Sequence, residues 1–82
     1  MRVEITIWKR DEGVPILVAM LTRYRGGQLS VTRGAYYGST TSDLTPAQFE
    51  EWHSFALFMR QEIRYEICAP DNSTLRRVDY RA

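Results

Sequence analysis

Residues 44–63 read LTPAQFEEWHSFALFMRQEI, and the way this stretch opens and continues decides the fold. Thr45 supplies an N-cap hydroxyl and Pro46 stands at the first helical position, where a missing N–H is no loss. Gln48 occupies N3, from which an amide reaches back to the cap. Leu44 before the cap and Phe49 after it suit a hydrophobic staple. The spacing predicts one amphipathic helix from residue 46 to residue 62 or 63. At about 100° per residue, Phe49, Trp52, Ala56, Met59 and Ile63 fall on one stripe, flanked by Phe55. That stripe is expected to face the core. Leu57 and Phe58 lie off it on opposite sides, Phe58 among Glu51, Ser54, Gln61 and Glu62. Burying a phenylalanine is worth roughly 1.5–3 kcal/mol, so one set on the wet side reads as part of a contact surface. Phe55, Leu57 and Phe58 are therefore candidates for self-association or a partner interface.

Upstream of the helix the chain alternates. Val3, Ile5 and Ile7 take one side of residues 3–9 and Glu4, Thr6 and Trp8 the other, the period of a strand with one face on a core. Residues 10–13 carry a turn signal, and Pro15 is confined to the start of the next strand. Residues 16–25 begin apolar on both sides, which predicts a central strand covered on both faces. Gly26-Gly27 closes a tight hairpin. Residues 28–37 alternate again, with Leu29, Val31 and Ala35 inward and Gly34 marking a bulge. Residues 38–42 read as a loop, with a short edge strand as the alternative. Beyond the helix, residues 64–69 and 75–80 read as strands on either side of the turn cluster Pro70-Asp71-Asn72-Ser73. The order β-β-β-α-β-β is an α+β domain, an antiparallel sheet with one amphipathic helix packed across a face.

Composition narrows the function. With 82 residues, 44% of them apolar and 26% charged, the chain is expected to fold as a single domain, 1–82. A lone Cys68 excludes an internal disulfide and cannot hold a zinc ion by itself. The longest apolar run, residues 16–21, is too short to cross a bilayer, and the acid-bearing N-terminus is unlike a signal peptide. A cytoplasmic setting without membrane association is expected. His53, with Glu50 three residues before it, has no motif-placed nucleophile and reads as structural. Cys68 reads as a small buried apolar residue. Asp71-Asn72-Ser73 lacks the spacing of a calcium loop, and Gly26-Gly27 is not followed by the helix and lysine of a phosphate loop. No catalytic residue, metal or cofactor is expected, and the chain reads as a non-enzyme.

Charge is segregated. Residues 1–42 carry +3, residues 43–63 carry −3 and residues 64–82 carry +1. All the basic residues but Lys9 are arginine, whose planar fork binds carboxylates and phosphates and stacks on aromatic rings. Arg23, Tyr24, Arg25, Arg33, Tyr36 and Tyr37 together suggest a partner-binding sheet face, since tyrosine and arginine are frequent hot-spot residues. The same mixture could stack bases and hold phosphates, but a net charge of only +1 lacks the basic excess of a phosphate-driven binder. A protein partner is the favoured reading, with single-stranded nucleic acid as the alternative and a homodimer as a further option.

The segment GSTTSDLTPAQFEEW, residues 38–52, resembles the PC4-like single-stranded-DNA-binding domains (transcriptional coactivator p15). In that family strands and a glycine-containing loop lead to Leu-Thr-Pro-x-Gln and an aromatic residue opening a helix, matched here by Leu44, Thr45, Pro46, Gln48 and Phe49. The resemblance implies a dimer whose curved sheet cradles separated strands. The family's basic loop before the helix is replaced by residues 36–40, which hold no lysine or arginine. In size and lack of chemistry the chain is also similar to phage and mobile-element inhibitors, anti-CRISPR-type proteins among them, which implies a module that occupies a surface of a larger nucleic-acid-handling assembly.

Overall fold

The three alternating segments before the helix form strands, and the polar segment that follows them forms a fourth. The structure, a computed structural model, describes residues 1–35 and 38–80. The elements are β1 (Arg2–Asp11), β2 (Val14–Tyr24), β3 (Leu29–Ala35), β4 (Gly38–Asp43), α1 (Pro46–Phe58), β5 (Glu62–Cys68) and β6 (Thr74–Tyr80). The strands make one antiparallel sheet in the order β4-β3-β2-β1-β5-β6, with α1 packed on one face. The α+β class expected from the sequence is the observed one. The edge-strand alternative for residues 38–42 is also realised, as β4.

Turn chemistry sets the hairpins. Asp11 pairs with Val14 across a two-residue turn in which Glu12 and Gly13 both have positive φ, the mirror-image turn whose twist matches its strands. Gly27, at φ 86°, supplies the left-handed residue between β2 and β3, where its N–H donates to the Tyr24 carbonyl. The expected bulge at Gly34 is absent, and that glycine pairs in register with Ser39. Register shifts fall instead at Ile7/Trp8 and Ile67/Cys68.

Cross-strand partners share a face, so the register sorts every strand residue. Ile5, Leu21 and Val31 lie across one row of the covered face, with Ile7, Ala19 and Ile63 in the next. These six are buried, and Phe49 and Ala56 of α1 close over them. The opposite face carries Glu4, Thr22, Ser30 and Glu66 in one row and Thr6, Met20, Thr32 and Arg64 in the next. No helix covers it.

Two expectations therefore need correction. β2 is central but not covered on both faces: Ile16 and Leu17 are exposed. Among the described residues, β5 pairs with β1 over Arg2–Trp8 and β3 pairs with β2 over Ala19–Arg23. Among the described residues, no further strand is paired alongside the end of the β1–β2 hairpin. The helix also stops at Phe58, four or five residues short of the expected end. Gln61 N–H donates to the Ala56 carbonyl and Arg60 N–H to the Leu57 carbonyl, with Arg60 at φ 54°. That pair of bonds around a left-handed residue is a Schellman ending, with arginine where glycine is usual. Met59, expected in the core stripe, is consequently exposed, and Ile63 reaches the core from β5.

Candidate functional site

The start of α1 is built as its residues dictate. Gln48 N–H donates to Thr45 Oγ1 at 3.2 Å, and Thr45 N–H donates to Gln48 Oε1 at 2.9 Å, completing the capping box. With the start fixed, the rotation of the helix follows. Phe49 and Ala56 point into the core, and Trp52 is half-buried beside them. His53 turns towards β5, where its Nε2 lies 2.6 Å from Tyr65 Oη and the two rings meet edge to face. Burial, with Tyr80 nearby, raises the Tyr65 phenol above its ordinary pKa and keeps it neutral.

The flank of α1 away from β5 is aromatic and open. Phe58 is 81% exposed and Phe55 59% exposed, and they line one shallow hollow with Trp52, Glu51 and Ser54. Phe55 was expected to flank the core stripe; it stands clear of the core. Leu57, the third candidate, sits about 160° around the helix from Phe55 and so belongs to the side that faces β5. The three residues are exposed, but only Phe55 and Phe58 share a surface.

The arginine and tyrosine candidates do not form one sheet face. Arg23 and Arg33 pair with Val3 and Ala19, which puts both on the helix side of the sheet. The Arg23 guanidinium lies over the Phe49 ring, 5.4 Å from its centroid. Tyr24 pairs with Arg2 on the opposite face, and it lines a hollow with Arg2, Arg25 and Pro70. Tyr36 and Tyr37 lie outside the described residues. Alternation divides adjacent residues between faces, so a cluster along the chain is not a cluster in space.

The uncovered face is polar and internally paired. Arg2 meets Glu4 at 2.9 Å and Asn72 at 2.8 Å, Arg10 meets Glu62 at 2.8 Å, and Arg64 meets Asp79 at 2.9 Å. These guanidinium groups already hold carboxylates. Cys68 is buried on this side, where its thiol lies 3.7 Å from Glu4. Burial, reinforced by the Glu4 charge, pushes that thiol above its ordinary pKa, the opposite of what activates a nucleophile. Among the described residues, no group of three or more His, Cys, Asp or Glu side chains could hold a metal ion, and no helix is long and apolar enough to cross a membrane.

Two exposed features were not singled out from the sequence. One is the β1–β2 hairpin end, hidden because an apolar run reads as buried. The other is β6, exposed along its whole length, whose alternation of Arg76, Val78 and Tyr80 against Arg77 and Asp79 was the available signal. No protein-family model, no curated protein and no solved structure matches this chain.

Proposed function

We propose that this chain is a non-enzymatic protein-interaction module that meets its partner through the flank of α1 carrying Trp52, Phe55 and Phe58. The observation that carries this reading is the joint exposure of Phe55 and Phe58 in one hollow. Each phenyl ring left in water forgoes roughly 1.5–3 kcal/mol of burial. Aromatic anchors beside polar groups, here Glu51 and Ser54, form the usual centre and rim of a protein contact. His53 and Cys68 support the absence of catalysis, the first held by a neutral phenol and the second a buried protonated thiol. An inhibitor of the phage or mobile-element type, occupying a surface of a larger nucleic-acid-handling assembly, is the form of this function that needs only such a surface.

The test is a paired affinity capture from the source cell, with wild-type protein and Phe58→Asp as baits and circular dichroism to match their folds. A protein retained by wild type and lost with Phe58→Asp supports the proposal. Equal retention by both baits overturns it. An anisotropy titration with a labelled single-stranded oligonucleotide tests the alternative implied by the p15-type resemblance. Because Arg2, Arg10 and Arg64 are engaged by carboxylates, no binding is expected at low salt. Binding that weakens steeply between about 50 and 200 mM salt would favour the alternative.

A further inference from the structure

The sheet ends on one side at β6, whose seven residues are all exposed and whose outer backbone edge pairs with no strand among the described residues. An unpaired edge with exposed Val78 and Tyr80 is a template for another strand unless something blunts it. Charged side chains usually do so by repelling a second copy. In β6 they do the reverse.

Consider two copies of β6 side by side, antiparallel, about a two-fold axis normal to the sheet. The sheet continues only if residues of the same face meet, so the axis must pass through a residue and not between two. Centring on Arg76, Arg77 or Asp79 sets like charges directly opposite each other, which is destabilising. Centring on Leu75 aligns little of the strand. Centring on Val78 aligns residues 76–80 of both copies. Val78 then meets Val78, and Arg76 meets Tyr80 on the helix side, while Arg77 meets Asp79 on the open side. Each unlike pair occurs twice by symmetry.

In the isolated chain Asp79 is held by Arg64 at 2.9 Å, and Arg77 lies only 3.7 Å from the same carboxylate. Glu66 of β5 already stands across the ladder from Arg77, and the paired copy adds a second carboxylate, Asp79, on its outer side. The two register shifts of the sheet leave the pairing of residues 76–80 with β5 unbroken, so no bulge interrupts this part of the edge.

We propose that β6 is a self-complementary edge through which a second copy of this chain docks, giving a continuous antiparallel sheet with its register centred on Val78. This surface is separate from the aromatic flank of α1, which faces away from β5 and β6, and the two proposals stand or fall independently.

Cysteine cross-linking reads the register directly. In the proposed dimer the two Val78 Cα atoms lie about 4.5–5.5 Å apart, within disulfide range, whereas the two Arg76 Cα atoms are separated by roughly 14 Å. Mild oxidation of Val78→Cys should give a covalent dimer at least tenfold faster than oxidation of Arg76→Cys. Native Cys68 is buried and contributes little background. In parallel, light scattering of wild type should show a mass rising with concentration from 9.6 kDa towards twice that value. Arg77→Asp and Asp79→Arg should each hold the mass at the monomer, and mixing the two variants should restore the rise, because each then meets its complement across the edge while neither chain carries both reversals against Glu66 and Arg64 of β5. Equal cross-linking at both positions, a wild-type mass that stays monomeric at all concentrations, or a dimer unaffected by Arg77→Asp would each overturn the proposal.

Discussion

His53 and Tyr65 show how much one contact between elements does in a chain of this size. Their 2.6 Å bond joins α1 to β5, and Tyr65→Phe should lower the unfolding free energy by about 1 kcal/mol in urea titrations. The same phenol gives a pH dependence with a definite sign. Its pKa in the fold is raised by burial, so the unfolded chain loses the proton first. Stability is therefore complete below about pH 10 and declines as pH rises from there through the raised value. Tyr65→Phe should remove that part of the alkaline decline, and an unchanged profile would contradict the assignment. Thr6 on the open face presents the reverse case. Its hydroxyl is buried and has no hydrogen-bond partner among the described residues, so Thr6→Val should leave stability unchanged or raise it by up to about 1 kcal/mol. A loss above that size would mean that the hydroxyl has a partner.

At the scale of the element, α1 is governed by its two ends. Thr45→Ala removes one half of a reciprocal cap and should cost about 1 kcal/mol, measured by thermal or chemical unfolding. Arg60 holds a left-handed conformation at the other end, and Arg60→Gly should stabilise the fold by up to about 1 kcal/mol. These two residues also explain what was legible in the sequence. The N-terminus of α1 is written in side chains, Thr45, Pro46 and Gln48, and its position followed directly. The C-terminus is written in a backbone conformation that arginine does not advertise. Met59 and Ile63 continue the helical spacing past the true end because Ile63 serves the core equally well from a strand. Strands β1 and β3 were legible because each has one apolar face. β2 misled because its apolar run serves the core in one half and an exposed hairpin end in the other. Of the candidate site, Phe58 was legible as a residue off the stripe, but the separation of Leu57 from Phe55 depended on which way α1 turns on the sheet. The scattering of Arg23, Tyr24 and Arg33 over two faces follows from β alternation.

The whole molecule divides into three surfaces with different chemistry. The open sheet face pairs its own charges, the β6 edge is self-complementary, and the flank of α1 is aromatic and unpaired. Segregated charge has a consequence at this scale, since the net value of +1 conceals an acidic helix segment beside a basic N-terminal half. Association through β6 should weaken as salt rises, because its Arg77–Asp79 pairs are solvent-facing. Contact through Phe55 and Phe58, being apolar burial, should change little over the same range. Salt therefore separates the two surfaces without any substitution, and partner binding that collapses between about 50 and 200 mM salt would contradict an apolar contact.

The most direct test of the central claim is the affinity of the captured partner for three chains measured side by side: wild type, Phe58→Asp and Arg77→Asp. The expected result is loss of binding by at least tenfold for Phe58→Asp and none for Arg77→Asp, with both variants folded by circular dichroism. Undiminished binding by Phe58→Asp would contradict the account.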